Sequence, residues 1–146
     1  MSTVRDILKS KGNEVFSIKP SATVLDALQE MDNKGVGAIL VVKDNEILGI
    51  FSERDYARRV VLEGKTEYAK ITDVMTEDIF VVSPQQTAEE CMAQMTDKHI
   101  RHLPVVDDGK LVGVISIGDL VKTVISQQQD LIRSLETYIT GKDYNR

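Results

Sequence analysis

Tryptophan is absent from this sequence, cysteine occurs once, histidine twice and proline three times, and aromatic residues make up 5%. Each scarcity excludes something. The single thiol, Cys91, cannot form an internal disulfide, which fits a reducing, cytoplasmic setting. No nucleophile–base pair can be assembled from two histidines and one cysteine. His99 and His102 have no third ligand nearby and lead into a strand, so no metal is expected. No apolar stretch approaches the roughly 18 residues of a membrane span. The N-terminus, with an acid at Asp6, has no signal-peptide hydrophobic region. The net charge of −5 argues against a general binder of nucleic acid or anionic membrane. Any bound anion must then be held by a local cluster of cations.

What is present is a repeat. Gly49-Ile50-Phe51-Ser52-Glu53-Arg54-Asp55 is echoed by Gly113-Val114-Ile115-Ser116-Ile117-Gly118-Asp119, and each follows an apolar run, Ile39–Val42 or Leu103–Val106. The register extends without gaps from Val15–Tyr56 onto Ile79–Leu120, and Val4–Leu8 resembles Ile71–Met75. Within a copy, a short strand (Val15–Ile18; Ile79–Val82) stops at Pro20 or Pro84. Ser21 or Thr23 can cap a helix with Val24, Ala27, Leu28 and Met31 at helical spacing, matched by Ala88, Cys91, Met92 and Met95. A β-branched strand, a turn (Asp44-Asn45; Asp107-Asp108-Gly109) and a second strand follow. The order is β-α-β-β-α, twice, in an α/β (α+β) fold of small sheets covered by helices. One helix ends near Gly64. The other runs on to Gly141, with Gln127–Gln129 a candidate interruption, and its amphipathic last part has no counterpart in the first copy.

Ser-x-x-Asp is a capping-box pattern, in which serine and acid satisfy free N–H groups of a helix's first turn. It also stands at a strand-to-helix junction, where N–H groups and the helix dipole favour an anion, and an aspartate there can accept two ribose hydroxyls. Both roles are compatible and both are expected.

The doubled Gly-h-h-Ser-x-x-Asp (h, apolar) resembles the tandem cystathionine-β-synthase (CBS) domain pair, or Bateman module, over roughly Val4 to Ile125, with Ile71–Thr76 and His102–Val106 as further marks. The resemblance implies two repeats (1–70 and 71–126) in pseudo-twofold arrangement, followed by a C-terminal helical extension (127–146). It implies a freestanding, non-enzymatic regulator that senses energy or redox state and binds AMP, ADP, ATP, NAD(H) or S-adenosylmethionine in clefts between the repeats. Asp55 and Asp119 would hold ribose hydroxyls, with Ser52 and Ser116 reaching ribose or phosphate. The Asp119 cleft would draw its adenine pocket from Ile18, Pro20, Val36, Gly37 and Ala38. The Asp55 cleft would draw on Val82, Pro84, Ile100, Arg101 and His102. No catalytic cofactor is implied. A homodimer is, joined through apolar surface on the first helix of each repeat (Val24, Leu28, Met31; Met92, Met95), together with a regulated protein that the residues do not identify.

The cations separate the two clefts. Arg54, Arg58 and Arg59 cluster at a helix N-terminus, where they oppose the dipole unless an anion compensates, and Arg101-His102 replace Gly37-Ala38 of the first copy. The second-copy equivalents of the arginine trio are Gly118, Lys122 and Thr123, leaving one lysine. The Asp55 cleft should therefore favour a polyphosphate and the Asp119 cleft a monophosphate such as AMP. Gly35-Val36-Gly37 and Gly64-Lys65-Thr66 are incomplete phosphate-loop patterns and carry no weight. On the residues alone, a small nucleotide-processing enzyme and an assembly module with vestigial clefts remain alternatives.

Overall fold

A computed structural model describes residues 2–12 and 14–140. The chain divides into two compact units. One is Glu14–Phe80; the other joins the N-terminal helix to the chain from Val81 onward. The sequence repeats and the compact units are thus cut at different places.

In the unit Glu14–Phe80, β1 (Ser17–Ile18) pairs parallel with β2 (Ala38–Lys43), which pairs antiparallel with β3 (Glu46–Ser52). Asp44 and Asn45 both have positive φ, 51° and 66°, as a two-residue hairpin turn with the right-handed strand twist demands. Helix α2 (Val24–Lys34) starts at Thr23 in a reciprocal capping box with Asp26 and stops at Gly35 in the left-handed conformation. Its Val24, Ala27 and Met31 pack with Ile39, Val41, Phe51, Val60, Ile71 and Val74. Each such buried side chain contributes about 1.5–3 kcal/mol relative to exposure. After β3 comes α3, Glu53–Asp55 continued by a π-helical stretch, Tyr56–Val61. Gly64, at φ 71°, lies just past the end of that helix.

The other unit repeats the plan with substitutions. Helix α1 (Val4–Lys11) is capped by Thr3. Helix α4 (Ala88–Lys98) has the capping box Thr87/Glu90 and ends on His99, left-handed at φ 56° where the first copy has glycine. Strands β4 (His102–Asp107) and β5 (Lys110–Ser116) form a hairpin through Asp108-Gly109. The strand expected over Ile79–Val82 reduces to one parallel bridge, Val82 to Val105. Helix α5 (Ile117–Thr140) passes through Gln127–Gln129 unbroken, because three good helix formers in a row do not interrupt a ladder. Its expected end at Gly141 lies outside the described residues. Cys91 is fully buried, and desolvation, then Glu90, push its thiol up to about 11, so it is inert core.

One expectation is corrected here. Val24, Met31 and Met95, offered as surface for a second subunit, are at most 3% exposed. They are core, and the exposed apolar side chains lie elsewhere, chiefly on α5.

Candidate functional site

Both aspartates of the repeated motif are half-buried at strand-to-helix junctions. Asp55 Oδ2 accepts Ser52 N–H (3.0 Å) and Ser52 Oγ–H (3.1 Å), while Asp55 N–H donates back to Ser52 Oγ (3.2 Å). Asp119 Oδ2 accepts Ser116 N–H at 2.8 Å, and Asp119 N–H donates to Ser116 Oγ at 3.1 Å. Capping is thus fulfilled in both copies, and the carboxylates are held rigidly rather than left to rotate.

The glycine that opens each motif has its reason in close approach. A Cβ on Gly49 would stand 2.5 Å from Met75 Sδ and 2.9 Å from the Thr76 carbonyl oxygen. The bare backbone lets residues 75–76 lie across β3, where Ile50 and Thr76 exchange two backbone hydrogen bonds of 2.9 and 2.8 Å. A Cβ on Gly113 would stand 2.7 Å from Leu8 Cδ2, so α1 lies across β5 in the same way. Each crossing segment then delivers a side chain to the aspartate. In the first unit Thr76 Oγ1 donates to Asp55 Oδ1 (3.1 Å). In the second, Lys11 Nζ donates to Asp119 Oδ2 (2.7 Å) and to Val114 O (2.8 Å).

Lys11 is the residue that sequence reasoning missed. More than a hundred positions separate it from Asp119, and no local pattern marks it; the nearest signal was the likeness of Val4–Leu8 to Ile71–Met75, whose next residue is Thr76. The expectation that Lys122 alone supplies positive charge at Asp119 is therefore revised: Lys11 touches the carboxylate, whereas Lys122 is exposed. Burial would raise the Asp119 pKa, but the bonds from Lys11 and Ser116 outweigh it and hold the carboxyl below 3.8.

Of the arginine trio, Arg59 is engaged within its unit. It donates to Met75 O (2.9 Å), and its Nε lies 3.8 Å from Asp55 Oδ1. Arg54 and Arg58 are exposed and have no ion-pair partner among the described residues. Strand pairing sets Ala38 opposite Ser52 and His102 opposite Ser116, with Glu53 N–H on Gly37 O and Ile117 N–H on Arg101 O. His102, which the sequence reading assigned to the Asp55 ligand, has Asp119, Lys11 and Arg101 as its charged surroundings, and burial above all lowers its pKa. Arg101 is exposed, and Ile100 is half-buried. Ile18, Pro20 and Val36 are half-buried, whereas Val82 and Pro84 are buried. Among the described residues no cluster of His, Cys, Asp or Glu could hold a metal ion, and no helix is long and apolar enough to cross a membrane.

Comparison with known proteins identifies the family and the fold. The CBS domain family matches twice, over residues 4–62 and 71–126. The chain is 36% identical to the mitochondrial CBS domain-containing protein CBSX3 of Arabidopsis thaliana, over 96% of this chain and 73% of that protein. A Burkholderia ambifaria structure, described as a signal-transduction protein with CBS domains, is 47% identical with a TM-score of 0.84, covering 87% of this chain and 96% of that one. A CBS domain pair solved with 5′-methylthioadenosine and S-adenosyl-L-methionine shares the fold at TM-score 0.77 and 19% identity, covering 87% of this chain and 98% of that one.

Proposed function

The chain belongs to the CBS-domain family, and on that premise we propose that it is a regulatory module that binds adenosine-bearing ligands and modulates a partner protein according to energy or redox state, without catalysing a reaction. The observation that supports this most is the doubled aspartate. Each carboxylate is fixed by its own serine at a strand-to-helix junction, in a setting where a vicinal diol can donate two hydroxyls. A relative that shares the fold was solved with two adenosine compounds.

The two aspartates differ in what surrounds them, and the ligands differ accordingly. Near Asp55, Arg54 and Arg58 are exposed guanidinium groups with no ion-pair partner among the described residues, suited to bidentate contacts with a polyphosphate such as ATP or NAD(H). At Asp119 the ammonium of Lys11 and the glycine at 118 suit a smaller anion, and AMP is the ligand assigned there.

Thermal unfolding in the presence of AMP, ADP, ATP, NADH and S-adenosylmethionine tests the reading. A ligand that binds only the folded state adds about 2.7 kcal/mol at a hundredfold excess over its Kd. A melting temperature that none of the five raises would remove the proposal in favour of an assembly role. Chemical conversion of any of them by purified protein would replace it with an enzyme.

A further inference from the structure

We propose that the exposed face of α5 docks on the same face of a second copy of this chain, as a parallel two-stranded coiled coil over Val121–Ile139. As far as Gln127, α5 is anchored in its own unit: Leu120 is buried, and the Gln127 amide lies between Ser2 and Glu89; turned with its oxygen toward Ser2, it accepts from Ser2 N–H (2.6 Å) and Ser2 Oγ–H (2.7 Å) and donates to Glu89 (3.3 Å). From Gln128 to Thr140 no side chain is buried, and all but Thr137 are exposed. Most helical stability in proteins comes from packing of an amphipathic face, and among the described residues nothing covers this one.

The pattern of the stretch says what covers it. Val121, Ile125, Gln128, Ile132, Leu135 and Ile139 recur at alternating spacings of four and three, the heptad seam of helices that wind on each other. Ile125, Ile132 and Ile139 occupy a; Val121, Gln128 and Leu135 occupy d. β-Branched residues at a with leucine at d favour two parallel strands; isoleucine fills all three a positions here, and Leu135 is the one leucine at d, beside Val121 and Gln128. The five apolar members are 41–79% exposed, and Leu131 and Tyr138 beside them 59% and 72%. At about 150 Å² per side chain these seven leave roughly 600 Å² uncovered, the upper end for a typical monomer. Two copies would bury at most about 1,200 Å², the lower edge of specific interfaces.

Charge permits the pairing. In a parallel pair the residues flanking the seam are Val124, Leu131 and Tyr138 on one side and Lys122, Gln129 and Glu136 on the other, so no like charges face each other. A lipid surface is disfavoured, since Arg133 is the one basic residue between Gln128 and Thr140.

Sedimentation of the full chain at micromolar concentration should give twice 16.3 kDa. Ile132→Asp and Leu135→Asp should each reduce it to 16.3 kDa with unchanged nucleotide-dependent melting. Ile132→Cys should cross-link to a covalent dimer on oxidation, whereas Arg133→Cys, which points out of the seam, should not; Cys91 is buried and silent. A wild-type monomer, including one that binds a helix of another protein instead, overturns the proposal. So does a dimer that survives both aspartates, or cross-linking through Arg133→Cys as fast as through Ile132→Cys.

Discussion

Replacing Gly49 with alanine puts a methyl group where the chain crosses itself. The new Cβ would meet the Thr76 carbonyl at 2.9 Å and the sulfur of Met75 at 2.5 Å, and Met75 is only 6% exposed. Backbone cannot swing aside, so residues 75–76 must withdraw from β3 and lengthen the two Ile50–Thr76 hydrogen bonds. Overpacking of this kind costs about 1–3 kcal/mol, and weakening two hydrogen bonds worth about 1 kcal/mol each adds to it. We expect a total of about 2–4 kcal/mol. Gly113→Ala is the internal control, because the atoms nearest its Cβ belong to the Leu8 side chain, whose methyls at 2.7 and 3.1 Å can rotate away, and not to backbone. Its cost, offset by the about 0.4–1 kcal/mol that alanine gains from a less flexible unfolded chain, should stay below about 1 kcal/mol. Urea unfolding followed by far-ultraviolet circular dichroism reads both. Nucleotide affinity at Asp55 should fall in Gly49→Ala as well, since Thr76 is displaced from the carboxylate. Equal losses in the two variants, or a larger one at Gly113, would refute the crossing-segment account.

His99→Gly should stabilise by about 0.5–1 kcal/mol, because a left-handed residue with a side chain costs about 1–2 kcal/mol and Gly35 holds the same place in the first copy; a lower urea midpoint would contradict this. Lys11→Met should cost about 0.5–1 kcal/mol at pH 7, the modest figure expected of a pair this exposed to solvent. Asp119 has a depressed folded-state pKa, so its contribution is present above the unfolded value of 3.8 and lost as pH falls through the folded one. The stability gap between wild type and Lys11→Met should therefore close in acid, and a gap independent of pH would show that the ion pair is not its source. Arg54→Ala/Arg58→Ala should weaken NADH by about 1.5–3 kcal/mol for each arginine–phosphate hydrogen bond removed and leave AMP unchanged; equal weakening in calorimetry would mean the two sites are not specialised.

The parts of the fold that follow from local chemistry were legible in the sequence. The Asp44-Asn45 and Asp108-Gly109 turns, the Thr23 and Thr87 caps and the buried run Ile39–Val41 each depend on a few adjacent residues. The serine–aspartate pairing could be read for the same reason. What could not be read depends on chain crossing. Nothing local distinguishes a glycine needed for a turn from Gly49, needed because Thr76 passes over it, or links Lys11 to Asp119. Val24 and Met31 were mistaken for an outer face because helical spacing marks an apolar stripe without saying which layer covers it. The exposed seam of α5 was visible as amphipathicity, but only the bareness of residues 128–136 makes it unpartnered.

Calorimetric titration of wild type, Asp55→Ala and Asp119→Ala with AMP and with NADH tests the central claim most directly. Each substitution should abolish or strongly weaken one class of site, Asp55→Ala the NADH site and Asp119→Ala the AMP site. Circular dichroism should show the fold retained in both. Wild-type affinity and stoichiometry for both ligands in both variants would contradict the assignment of these aspartates as ribose anchors.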